Sequence, residues 1–139
     1  MKAFLFSLCL WAGIVGVQAG LAEDVALARQ ILGIWQAVPD DKSPYVTTFE
    51  FGPEGEGGEV FSMPPNRDFV PIRATFRWAV RDGVLSIESL SSSDPKQLPV
   101  GTKRQARILS IVEDRLVYES LDDQGNSDGK QLVLVRTGM

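Results

Sequence analysis

The chain has no histidine, and its one cysteine, Cys9, lies close to the amino terminus. Without histidine there is no Ser-His-acid triad, no imidazole general base and almost none of the usual catalytic zinc sites. Beyond Cys9 there is no thiol nucleophile, no redox pair and no disulfide. Carboxylates, lysines and tyrosines are what remains for chemistry. Basic residues are also in deficit: 14 Lys and Arg stand against 18 Asp and Glu, a formal net charge of −4. That balance sets the chain against nucleic acid and anionic membrane surfaces, whose phosphates would repel it.

What is present is a chain of 139 residues, 44% hydrophobic and 23% charged, which is the composition of one globular domain. Its start is different in kind. Met1 and Lys2 give a positive beginning, Ala3 to Val17 is an uncharged apolar run, and Val17-Gln18-Ala19 ends on a small residue of the type signal peptidases accept. The pattern predicts a secretory signal peptide over residues 1–19 and a domain over residues 20–139, with a second cleavage option after Ala22. The run is shorter than the roughly 20 residues that span a bilayer, so no stable membrane anchor is expected after cleavage. Cys9 leaves with the peptide, and Leu8 before it is not the small residue that lipid attachment requires. Loss of Lys2 shifts the net charge from −4 to −5. A domain without cysteine suits the periplasm, so the expected localisation is periplasmic or secreted.

Ala22 to Leu32 is predicted to be a helix: Glu23 and Asp24 stand at its start, and Val25, Ala28, Ile31 and Leu32 recur at helical spacing. From Gly33 the period changes to two. Eight strands are predicted, Gly33 to Val38, Tyr45 to Gly52, Glu59 to Met63, Pro71 to Arg81, Val84 to Leu90, Arg104 to Val112, Arg115 to Leu121 and Lys130 to Arg136. Asp82-Gly83 and Glu113-Asp114 are short acidic hairpin turns. The segments Gly52 to Gly58 and Asp122 to Gly129 read as longer loops, and Ser91 to Thr102 is the longest irregular connection and the one expected to move most.

Ile72, Ala74, Phe76, Trp78 and Val80 share one face of their strand, with Arg73, Thr75, Arg77 and Arg81 on the other. The last strand is apolar on both faces, and the helix is the expected cover for its outside. Eight sequential antiparallel strands close most economically into an up-and-down barrel, which leaves no exposed edge. The predicted fold is therefore all-β, an eight-stranded antiparallel up-and-down barrel with a short N-terminal helix.

Leu32-Gly33-Ile34-Trp35 after a short helix, Thr47-Phe49-Phe51-Gly52 before a Gly-rich turn, Trp78 before Asp82-Gly83, Leu116-Val117-Tyr118 and a final apolar strand ending in Arg136 together resemble the small bacterial lipocalin-like domains. The resemblance covers essentially the whole chain after residue 19. It implies that Gly33 and Trp35 pack across the closed barrel end against Arg136. It also implies a barrel interior able to take a small apolar ligand, although the chain is shorter than secreted eukaryotic lipocalins and lacks their disulfide. An eight-stranded barrel is either filled by its own side chains or holds one small ligand.

The residues themselves offer few catalytic groupings. Glu50, Glu54, Glu56 and Glu59 gather around the Gly-rich turn, where they read as solvated loop acids and not as a tuned carboxylate pair. Asp122, Asp123, Asn126 and Asp128 lack the alternating spacing of a calcium loop and read as turn formers. No metal or cofactor is expected. Arg73, Arg77 and Arg81, with Arg67 nearby, make the one basic stripe, read as a surface strip for an anionic partner or as cross-strand partners of Glu88 or Glu59. Phe49, Phe51, Phe76 and Trp78 are the expected ligand-binding residues, and Phe69 and Val70 beside prolines the expected lid or docking surface.

The expected function is non-catalytic binding of a small apolar molecule by an exported barrel. The alternative is an accessory, inhibitor or immunity factor that binds an unidentified exported protein through the barrel surface, and a carboxylate-based enzyme is the weaker third reading. A closed interior below the roughly 300 Å³ of ordinary ligand pockets would exclude the first.

Overall fold

A computed structural model of the chain describes residues 20–38, 45–62 and 68–139. The predicted signal peptide, with Cys9, lies outside the described residues, as do Met63 and Arg67. Residues 20–30 are helical, and the rest of the described chain is strand and turn apart from one 3₁₀ turn at Pro53–Gly55. The strands are β1 (Gly33–Ala37), β2 (Val46–Phe51), β3 (Glu56–Ser62), β4 (Ile72–Arg81), β5 (Val84–Ser92), β6 (Lys103–Val112), β7 (Arg115–Leu121) and β8 (Ser127–Gly138). Each pairs antiparallel with the next, and β8 returns to β1 to close the barrel.

The Gly-rich stretch expected to be loop is shorter than it reads, because β3 already begins at Glu56. Gly57 explains this. It faces inward against Phe76 on β4, where a Cβ would lie 2.7 Å from the ring, so the absent side chain makes room for an aromatic one. At the other long loop β8 begins at Ser127, because Asp122 accepts the N–H groups of Gln124 and Asn126 and completes the turn early. Asp82 and Gly83 both have positive φ, which matches the twist of the β4–β5 hairpin.

The helix takes a different place from the one its amphipathic pattern suggests. It does not cover β8 from outside; it lies across one end of the barrel. Near its start, the buried Asp24 carboxylate accepts the backbone N–H groups of Asp82 (2.8 Å) and Gly83 (3.0 Å) in the β4–β5 turn. After its last turn, Ile31 enters the core beside Trp35, with Ala28 and Leu32 packed against the same cluster. β4–β5 and β8–β1 stand on opposite sides of the barrel, so the helix works as a plug. The outer face of β8 keeps Val135 exposed.

The core fills the plugged half with Trp35, Phe51, Phe76, Trp78, Leu85, Leu116 and Leu134. Phe51 packs edge-on to Trp78 with ring centroids 5.6 Å apart. A second cluster, Ile72, Ala74 and Leu98 with Phe61 and Phe69, fills the β3–β4–β5 side of the opposite end. Leu98 reaches it from the connection after β5. That connection is tied down by Ser93 N–H to the Arg73 carbonyl and by Leu98 N–H to the Asp94 carbonyl.

Candidate functional site

Two features differ from a solidly packed barrel, and both lie between the core and the end opposite the helix. The first is a cavity of about 220 Å³ bounded by β2, β5, β6, β7 and β8. Phe49, Phe51, Ile87, Ala106, Leu116, Tyr118, Leu132 and Leu134 line it, with Arg104 as the inward-facing cation. It is smaller than the roughly 300 Å³ of ordinary ligand pockets, but it is open to solvent and not a closed interior. An apolar cavity of about 150 Å³ already holds benzene. Lys103 and Gln105 edge the opening from the exposed outer side of β6.

The second feature is an ion pair across the barrel interior. Glu59 on β3 and Arg104 on β6 meet end-on, with Arg104 Nη1 donating to Glu59 Oε2 at 3.0 Å and Nη2 donating to Oε1. The Glu59 side chain has 0% exposure and that of Arg104 33%. Glu59 is not a solvated loop acid as its neighbours Glu54 and Glu56 are. In β3 the pleat turns Gly57, Glu59 and Phe61 inward, and Glu56 lies outside the run of buried positions. Arg104 Nε has no acceptor among the described residues, and neither does the buried Ser89 hydroxyl. Glu59 lies behind Arg104 and does not line the cavity.

Tyr118 adds a further polar group to the interior, on the cavity wall. Burial pushes its hydroxyl above the usual tyrosine range, and the positive charge of Arg104 partly offsets the rise.

Of the four aromatic residues expected to hold a ligand, the structure brings Phe49 and Phe51 to the cavity wall. Phe76 and Trp78 sit deeper and do not line it. The Trp78 indole N–H is shared between the carbonyls of Gly52 (3.2 Å) and Glu56 (3.0 Å), which ties the β2–β3 connection to β4. Phe69 packs against the second cluster and Tyr45, leaving Val70 exposed beside it.

Trp35 and Arg136 meet at the plugged end. The guanidinium carbon lies 4.3 Å from the indole centroid. Its nitrogens donate to the carbonyls of Leu32 and Gln30, the latter at 2.6 Å, while Trp35 Nε1 donates to Ile31 at 2.7 Å. These carbonyls are the ones a helix leaves unpaired at its carboxyl end. Gly33 has φ 125°, and a Cβ there would lie 2.9 Å from Arg136 Nη1 and 2.8 Å from the Gly138 carbonyl. Glycine, indole and guanidinium together close this end.

Arg73, Arg77 and Arg81 point outward from β4 and are exposed. Arg77 lies 3.7 Å from Glu88 on β5, a cross-strand pair between exposed side chains. Glu59, the other acid considered for this stripe, is inside with Arg104. At the β7–β8 turn, the Asp122 carboxylate is occupied by backbone N–H groups.

Sequence reasoning missed Glu59, Arg104 and Tyr118 as a unit. The signal was the pleat: Arg104, Ala106 and Ile108 alternate on one face of β6, and register then sets Ile108 opposite Tyr118. Compared with protein-family models and with curated protein sequences, the chain matches none.

Proposed function

We propose that this chain is an exported, non-catalytic binding protein of lipocalin-like type whose barrel interior holds one small, largely apolar molecule. The observation that carries the reading is the open cavity of about 220 Å³, walled by Phe49, Phe51, Ile87, Leu116 and Leu132 in a barrel whose other end is plugged. Its size confines the ligand to roughly ten to fifteen heavy atoms, between the benzene-sized and drug-sized limits. Export is supported by the apolar run and small-residue site of residues 1–19. Binding without chemistry is supported by the lack of histidine and by the pairing of Glu59 with a guanidinium in place of a second carboxylate.

The test is titration of a small naphthalene fluorophore into the purified protein and into Ala106→Phe, which fills the cavity from β6. Saturable binding at one site, lost in the variant while the far-ultraviolet circular dichroism is kept, supports the reading. Equal binding by both proteins overturns it.

A second reading, docking of an exported protein on the outer surface, is favoured by the groove of about 600 Å³ outside β4, β5 and β6, where Arg77, Glu88, Lys103, Asp122 and Asp123 offer both signs of charge. In that case the protein travels with a second chain, and filling the cavity changes nothing.

A further inference from the structure

The carrier reading leaves open what kind of molecule the cavity prefers, and the interior polar groups address that. Arginine has five N–H donors. Two of those of Arg104 are committed to Glu59 and Nε–H is buried without an acceptor among the described residues, so what meets the cavity is the exposed third of that side chain. Tyr118 adds a hydroxyl that has no hydrogen-bond partner among the described residues and lines the same apolar cavity. The cavity therefore offers donors. It does not offer net charge, because Glu59 neutralises Arg104 from behind in an end-on pair.

We infer that the cavity selects an uncharged molecule with an apolar body and one hydrogen-bond acceptor of carbonyl type, seated with that acceptor toward Arg104 and Tyr118, and that it rejects the corresponding carboxylate. This rests on the carrier reading above. A neutral acceptor seated toward Arg104 and Tyr118 gains the net contribution of a hydrogen bond and brings no charge to the balanced pair. A carboxylate brings a third charge to a pair that is already balanced. It is desolvated on entry, repelled by Glu59 behind the guanidinium, and finds neither bidentate fork open, because Glu59 holds the terminal N–H pair and Nε–H is buried. Lys103 does not reverse this, since it lies on the exposed face of β6, where its ammonium keeps its water.

Three probes of similar size separate the possibilities: ethylbenzene, acetophenone and benzoate, titrated calorimetrically at neutral pH. Acetophenone is expected to bind about two- to tenfold more tightly than ethylbenzene, the increment of one net hydrogen bond. Benzoate is expected to bind at least tenfold more weakly than acetophenone. In Glu59→Gln the guanidinium charge is no longer balanced, and benzoate should gain at least tenfold relative to acetophenone. Tyr118→Phe, which removes one hydroxyl, gives a second arm if the first variant fails to fold. There the advantage of acetophenone over ethylbenzene should shrink. Benzoate as the tightest ligand of the unaltered protein, or acetophenone no better than ethylbenzene, overturns the inference while leaving the carrier reading in place. Failure of all three to bind overturns the inference, and the naphthalene titration into the unaltered protein and Ala106→Phe then decides the carrier reading separately.

Discussion

Replacing Arg104 with methionine keeps most of the side-chain volume and removes the charge, so its effect on stability isolates the interior ion pair. Glu59 then remains with 0% side-chain exposure and no cation beside it among the described residues. A buried carboxylate stripped of its partner costs about 3–5 kcal/mol. Glu59→Gln is the gentler partner change. It leaves behind a guanidinium that is 33% exposed and can turn toward the open cavity and its water, so about 1–3 kcal/mol is expected. Changing both residues to methionine removes the desolvation penalty along with the attraction and should cost less than Arg104→Met alone. Against a total of about 5–15 kcal/mol for a domain of ordinary stability, the single Arg104 change is severe and the double change tolerable. The assay is urea unfolding followed by the fluorescence of the buried Trp35 and Trp78, with a double-mutant cycle giving the coupling. An Arg104→Met cost below about 1 kcal/mol, or one no larger than that of Glu59→Gln, would refute the reasoning, because the pair would then have to be solvated.

Gly33→Ala should cost about 1–3 kcal/mol, since the new Cβ meets Arg136 and the Gly138 carbonyl at a backbone angle that L-residues rarely adopt; the thermal midpoint measures it. Asp24→Ala should cost about 2–4 kcal/mol by orphaning two backbone N–H groups at the β4–β5 turn, read as a lower urea midpoint and faster hydrogen exchange at Asp82 and Gly83. The raised Tyr118 means that the folded protein holds this proton more tightly than the unfolded chain does. Stability should therefore be fully present below about pH 10 and fall as pH rises beyond it, and Tyr118→Phe should flatten that part of the midpoint-against-pH curve. Arg73→Ser combined with Arg77→Ser should change the thermal midpoint little, because the one ion pair these two make among the described residues, Arg77 with Glu88, lies on the surface.

The strands were legible wherever the two-residue period stood between turn residues. β4 shows this best, with Ile72, Ala74, Phe76 and Trp78 inward and Arg73, Thr75 and Arg77 outward. Elements misjudged in extent are those where a glycine or aspartate does two jobs. Gly57 and Gly58 read as turn but are strand residues, Gly57 admitting the Phe76 ring, and Asp122 closes its loop before Ser127. The helix was legible as a helix but not as a plug, since its place depends on Asp24 meeting a turn 58 residues away in sequence. Aromatic character alone singled out Phe49, Phe51, Phe76 and Trp78 together, and it could not separate the two that line the cavity from the two packed in the core below it. Glu59 and Arg104 were not legible, because each is an ordinary polar residue in its own strand, and only closure of the barrel brings β3 and β6 face to face.

Native mass spectrometry of the protein purified from its own host, without denaturation, tests the proposal of a ligand-holding barrel most directly. One bound small molecule per chain, of roughly ten to fifteen heavy atoms and absent from Ala106→Phe, is the expected result. A chain that carries no small molecule and instead runs with a stoichiometric second protein, unaffected by Ala106→Phe, would contradict it.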